Sequence, residues 1–185
     1  MQVKPIGIIH TPYREARGTP IQTPAGKGVR GWVEVFDEFV PGLKDLCGFE
    51  RIWLLYWFHR AARGKLNLHV TPFLDKKTHG LFATRAPLRP NLIGISAVRL
   101  LSIRRNRLGI SDIDILNGTP LLDIKPYIPQ FDCFQVSRCG WVRDSSPIAV
   151  LADERFAQTM PRTQKCTSGS KTKSTQTFRK GDRTR

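Results

Sequence analysis

No apolar run in this 185-residue chain travels far before a turn signal stops it. "VKPIGIIH" ends at Thr11-Pro12, "KLNLHV" at Thr71-Pro72 and "SDIDIL" at Asn117-Gly118. Short runs bounded by Pro, Gly and Asn favour strands, because an amphipathic helix needs a longer segment with apolar positions three and four apart. "VRGWVEVFDEF" alternates instead, with Val29, Gly31, Val33 and Val35 in step. "RIWLLYWFHR" is short and rich in Ile, Leu and aromatic residues, which suits a buried strand. "LIGISAVRLLSIRR" puts Ile93, Ile95, Ala97 and Arg99 on one face and Ser96, Val98 and Leu100 on the other. "LFATRA" reads as a further strand, and the segments on either side of Asn117-Gly118 read as a β-hairpin. In "PGLKDLCGFE" the spacing of Leu43 and Leu46 fits one or two helical turns ended by Gly48. About seven short strands with regular turn signals predict a mainly β fold, a single closed antiparallel barrel with short helices. No G-x-G-x-x-G follows the first strand and strands do not alternate with helices, which argues against a doubly wound dinucleotide fold.

The net charge is +15, and a chain this basic is expected to meet a polyanion, nucleic acid before any other. Residues 157–185 hold eight Lys or Arg against Asp182 alone, so they supply +7 and the remaining residues +8. The last stretch is rich in Lys, Arg, Thr and Ser and nearly free of large apolar groups. It cannot bury enough surface to offset its ordering entropy, so a disordered basic tail is expected there. It is either a solubilising tail or a non-specific RNA-binding arm. The expected organisation is a barrel over 1–132, an extension packing on it over 133–156, and the tail over 157–185. Cys47, Cys133, Cys139 and Cys166 form no C-x-x-C pair, and His10, His59, His69 and His79 form no H-E-x-x-H, so no metal site is predicted. The N-terminus lacks the apolar core of a signal peptide and no run is long enough to span a membrane, which places the protein in the cytoplasm, with its cysteines free.

One segment carries more charge and rigidity than a turn requires. In "LFATRAPLRPNLIGISAVRL" Arg85 and Arg89 flank "APL", and Pro87 and Pro90 stiffen the loop. A fixed φ lowers the entropy lost when the loop orders around a ligand, and the guanidinium fork matches carboxylate or phosphate. Arg85, Arg89 and Asn91 are therefore candidate anion contacts; the alternative is a surface loop with weak ion pairs. In "SDIDILNGTPLLDIKPY" Asp112 and Asp114 share a face if the strand period holds. Carboxylates there could accept from ribose hydroxyls or balance a ligand cation, whereas Asn117-Gly118 suits turn chemistry. Lys125-Pro126-Tyr127 couples a cation to an aromatic ring, which suits phosphate and base contacts. His59, beside Arg60, is a candidate for ligand contact or proton transfer, or simply satisfies a backbone carbonyl. Trp53, Tyr56, Trp57 and Phe58 are expected in the core. "TPIQTP" is a rigid polar loop that says little alone.

Taken in order, "GIIHTPY", "TPIQTP", "FERIWLLYWFH", "LFATRAPLRPNLIGISAVRL" and "DILNGTPLLDIKPYIPQFD" resemble the TsaA-like, or TrmO, family over roughly residues 1–132. The resemblance is to its short archaeal-type form. It implies a β-barrel class of S-adenosylmethionine-dependent tRNA methyltransferase, usually a homodimer with the cofactor near the subunit interface. The implied reaction is methylation of N6 of threonylcarbamoyladenosine beside the anticodon. By position, cofactor contacts would fall on Gln22, Thr23, Pro24, His59, Arg60, Arg85, Ile95, Ser111, Asp112, Ile113 and Asp114. Arg85 could pair with the cofactor carboxylate, and Asp112 or Asp114 with its ribose or ammonium. N6 belongs to a urea whose lone pair is delocalised, so losing its proton during attack helps. Asp123, Asp114 and His59 are the candidate bases, and Asp123, Lys125 and Tyr127 are the expected catalytic set. Arg89, Asn91 and Lys125 are the expected substrate contacts. The other readings are a non-catalytic RNA-binding barrel, or a methyltransferase for a different RNA or a small molecule.

Overall fold

The computed structural model describes residues 2–61, 66–144 and 151–153. Among the described residues eight strands follow in chain order: β1 (Gly7–His10), β2 (Arg30–Val35), β3 (Arg51–Trp57), β4 (His69–Val70), β5 (His79–Gly80), β6 (Ile93–Arg104), β7 (Arg107–Ser111) and β8 (Thr119–Pro126). Six of them close into a barrel in the order β1-β2-β7-β6-β3-β8, every neighbour antiparallel. β4 and β5 form a separate two-stranded sheet. The expectation of a closed antiparallel barrel with short helices holds.

Period-two alternation explains the interior. In β3, Ile52, Leu54 and Tyr56 point inward, and in β6 Gly94, Ser96 and Val98 do so. Ile9, Val33, Val35, Leu108, Ile110 and Leu121 complete the core, each at most 1% exposed. A fully buried side chain of this size contributes about 1.5–3 kcal/mol. Gly94 is required inside this layer: a Cβ there would run into the Tyr56 ring, which packs edge-on against Phe58.

Because all six strands alternate in direction, the connections sort by end. The long connections 11–29, 58–92 and 112–118 emerge at one end of the barrel. The other end carries the 3₁₀ turns Asp37–Leu43 and Leu46–Gly48 and the tight β6–β7 turn. Chemistry-bearing loops therefore share one rim by topology alone.

Three expectations need correction. β7 and β8 flank Asn117-Gly118 but do not pair with each other, so there is no hairpin there. Asn117 and Gly118 instead stitch the 112–118 loop to the exit of β1. The Asn117 N–H donates to the Tyr13 carbonyl at 2.7 Å, the Gly118 N–H to the Ile9 carbonyl at 2.9 Å, and Asn117 Oδ1 accepts from the Thr11 N–H at 3.1 Å. The actual two-residue hairpin joins β6 to β7 through Arg105-Asn106, where Arg105 takes a left-handed φ of 54°. "LFATRA" is not a strand: Leu81–Ala83 form a 3₁₀ turn, closed by Thr84 Oγ1 donating to the Leu81 carbonyl at 2.8 Å. The expected core position also fails for Trp53 and Trp57, which lie on the outward-facing alternation of β3.

Candidate functional site

The site begins with one backbone conformation. Asp112, directly after β7, has φ 63°. The left-handed region costs a non-glycine residue roughly 1–2 kcal/mol. It breaks the strand alternation, so Asp112 and Asp114 do not share a face as the sequence period predicts. Asp112 serves structure: Oδ1 accepts from the Gly28 N–H at 2.9 Å and Oδ2 pairs with Arg51 Nη2 at 2.6 Å. These partners hold its carboxyl below the usual range despite the burial that opposes them. Asp114 turns into the barrel mouth and accepts the Ser96 hydroxyl proton at 2.6 Å.

Ser96 is 3% exposed and also meets the Tyr56 hydroxyl at 3.1 Å. Ser96 gives its only proton to Asp114, so Tyr56 donates to Ser96. The result is a polar chain, Tyr56–Ser96–Asp114, running from the core into the mouth. Asp114 keeps part of its surface open, yet burial is the largest cause of a pKa pushed up to about 6. The Ser96 hydroxyl, its own amide, the Arg85 charge and the Thr23 amide all oppose that rise. Burial, and then the Asp114 charge, push the Tyr13 and Tyr56 phenols up.

The loops meet over Asp114. Arg85 donates to Gln22 Oε1, and its charge acts on both Asp114 and Tyr56. The 3₁₀ turn Thr23–Gly26, started by Pro24, lies directly on the 112–114 turn. Gly26 permits this, since a Cβ there would overlap the Ile113 carbonyl. Ile113 is fully buried and belongs to the core beneath, and Ser111 ends β7 with 6% exposure. His59 Nδ1 stands 3.3 Å from Thr119 Oγ1, whose own proton goes to the Leu116 carbonyl at 2.7 Å. A ring proton on Nδ1 would suit that Thr119 acceptor, and the Trp57 backbone also bonds the ring. Burial first, then the adjacent Arg60 charge, lower its pKa, so it is neutral at pH 7. Arg60 itself is exposed and donates to the Arg14 carbonyl at 2.5 Å.

Other expected residues lie elsewhere. Arg89 is engaged within its own loop, with Nη1 on the Thr84 carbonyl at 2.9 Å and the guanidinium 5.8 Å from the Phe82 ring centre. Asn91 is exposed, and its carbonyl accepts the Ile93 N–H at 2.7 Å. Ile95, 49% exposed, faces outward on β6 beside the inward Ser96. On the adjoining outer surface of β8, Lys125 pairs with Asp123 at 2.9 Å, and Tyr127 tilts against Trp53 at 5.5 Å. Within one chain, Ile95, Asp123, Lys125 and Tyr127 are thus on the outer wall, apart from the Arg85–Asp114 cleft. Tyr13 and Ser96 are the residues acting on Asp114 that the motifs do not single out, whereas Tyr56 lies in the core as expected. The signal for Ser96 was there: it is a polar side chain in step with Gly94 and Val98. Among the described residues no group of three or more His, Cys, Asp or Glu could hold a metal ion, and Cys47, Cys133 and Cys139 are free and exposed.

The molecule is a closed six-stranded barrel whose loop-bearing rim sets the Arg85 guanidinium near enough to Asp114 for its charge to act on that carboxyl. Residues 8–133 match the tRNA-methyltransferase O N-terminal domain, and the chain belongs to that family. It is 55% identical over 140 residues to a probable S-adenosyl-L-methionine-binding protein of Pyrococcus abyssi, covering 75% of this chain and 74% of that one. It is 30% identical over 159 residues to the tRNA (adenine(37)-N6)-methyltransferase of Escherichia coli, covering 82% and 67%. A crystal structure of TrmO from Pseudomonas aeruginosa superposes with a TM-score of 0.63 at 38% identity, over 76% of this chain and 62% of that one.

Proposed function

We propose that this chain is an S-adenosylmethionine-dependent tRNA methyltransferase of the cytoplasm, acting on N6 of threonylcarbamoyladenosine beside the anticodon. The observation that supports it most is the approach of Arg85 to Asp114 at the loop-bearing rim, with Gln22 bonded to Arg85 and the Thr23 amide at Asp114. These groups fit the ligand's chemistry. A guanidinium takes a carboxylate, and an ionised carboxylate takes an ammonium or sulfonium cation. The cofactor supplies the methyl group on its sulfonium. The chain's own contribution is to orient donor and acceptor for in-line transfer and to accept a proton. His59, whose pKa is lowered by burial and then by Arg60, is the base that takes the N6 proton in this reading. Asp114 holds the cofactor's cation. The net charge of +15 and the E. coli relative's tRNA activity support the choice of substrate.

The chain acts as a homodimer in this reading. A second copy is the means by which the outer-wall residues Ile95, Asp123, Lys125 and Tyr127 reach a cleft, with Lys125 offering a cation to the substrate carboxylate. Titration calorimetry with S-adenosylmethionine is the first test, and a flat trace overturns the enzyme reading in favour of a non-catalytic RNA-binding barrel. Methyl transfer to tRNA with and without the threonylcarbamoyl group is the second. Transfer that persists without that group assigns a different substrate.

A further inference from the structure

Two described pieces near the C-terminal end, at Trp141 and at Leu151–Ala152, grip the barrel, and both grips fall on loops of the Arg85–Asp114 rim. Trp141 Nε1 donates to the Ala83 carbonyl at 2.8 Å. Its indole stacks on His79, with ring centres 4.6 Å apart and planes at 19°. His79 is itself fixed by Asp75, Nε2 to Oδ2 at 2.7 Å. Ala83 is two residues before Arg85. Further on, the chain lies along the other loop: the Ala152 N–H donates to the Thr19 carbonyl at 2.8 Å, and the Gly18 N–H donates to the Ala152 carbonyl at 2.9 Å. Leu151 forms a β-bridge with Pro20, and Ala152 is 6% exposed. Pro20 is two residues before Gln22. Both anchors lie beyond the family match, which ends at residue 133.

We propose that these two anchored pieces act as a strap that sets the rim's affinity for its small charged ligand, with Trp141 fixing the loop that carries Arg85 and Ala152 fixing the loop that carries Gln22 and Thr23. Arg85 and Gln22 bond to each other across the cleft, so each anchor holds one side of a single contact. A loop already held in its binding conformation loses less entropy when the ligand arrives. Trp141 and Ala152 are positioning residues, since they touch the loops and not the ligand. Linkage makes the effect reciprocal: ligand binding tightens the strap by the same factor as the strap tightens binding. The inference rests on the cofactor reading of the cleft, but its mechanical half stands apart from it.

The full-length chain is tested with Trp141→Ala, Trp141→Phe and Ala152→Pro, the last lacking the N–H that meets Thr19. Hydrogen exchange without ligand tests the mechanical half. The 81–91 amides should exchange faster in Trp141→Ala, and the Gly18 amide faster in Ala152→Pro. Unchanged exchange in both overturns the strap whatever the cleft binds. Titration with S-adenosylmethionine tests the consequence. The Kd should rise about tenfold for Trp141→Ala and less for Trp141→Phe, which keeps a ring for the His79 stack. Turnover at saturating cofactor should stay near that of the unaltered chain. A Kd unchanged in a folded Trp141→Ala protein overturns the proposal. A parent chain that binds no cofactor, yet shows the exchange changes, overturns the function proposed above and confines the strap to loop order.

Discussion

Asp114 is where stability and binding oppose each other. Its pKa is raised to about 6, so the folded state holds the proton more tightly than the unfolded state does. The stabilising effect of that proton is fully present below the unfolded value near 3.8 and is lost as pH rises through about 6. Asp114→Asn should therefore raise the melting temperature by a few degrees at pH 7.5 relative to the parent, with little difference at pH 4. The same change should weaken cofactor binding at least tenfold, because the cation loses its counter-charge. In the parent, affinity should fall as pH drops below about 6, where Asp114 becomes neutral. The groups facing Asp114 are Arg85, Tyr56, Tyr13 and the Ser96 hydroxyl. Ser96→Ala removes a donor that lowers the pKa, so the midpoint of the binding profile should move upward; an unmoved midpoint would show that the Tyr56–Ser96 chain does not tune the acid. Arg85→Ala should abolish most cofactor affinity while the barrel still melts cooperatively. The sequence announced Arg85 and Asp114 through motif chemistry. It hid the division of labour between Asp112 and Asp114, because a single left-handed residue overrode the strand period.

Among the elements, the strands were legible because alternation has one physical cause, the inward and outward pleat. β3 follows it throughout, and β6 follows it as far as Leu100, where a bulge shifts the register. Turn chemistry was less legible. Asn-Gly is the commonest hairpin signal, yet here its amides bond to the exit of β1 instead of closing a pair. Arg105-Asn106 closes the true hairpin without any glycine, so Arg105 takes the left-handed strain itself. Arg105→Gly should relieve that strain and stabilise the fold by roughly 0.5–1 kcal/mol after the added unfolded-state entropy, read by urea unfolding. The 81–83 turn was misread because its strand-like composition is outweighed by local capping from Thr84 and by Arg89. Gly26→Ala tests how closely two elements must approach. Its new Cβ meets the Ile113 carbonyl, so the Thr23–Gly26 turn must lift, and cofactor affinity should drop with it.

For the whole molecule, the basic charge and the closed sheet pointed together to a barrel that meets nucleic acid. The tail over 157–185 lies outside the described residues, as does Cys166. Its eight cations still allow a prediction: deletion should weaken tRNA binding, flatten its salt dependence and leave cofactor affinity unchanged. The proposed homodimer is tested on the outer wall, where Ile95→Asp should yield a monomer by sedimentation. The barrel closes through β1 and β8, whose register pairs Gly7 with Leu121 and Ile9 with Thr119. That seam joins the first barrel strand to the last, while the β2–β7 ladder, which pairs Arg30 with Ser111, brings the Thr23 amide to Asp114 across more than ninety positions. Ligand competence therefore arrives late, after ribosomal emergence of nearly the entire domain, and cannot be acquired piecemeal. Such long-range pairing slows folding. On the proposed reading, a chain cut before Asp114 should fail to capture the metabolite, whatever strands it has already paired.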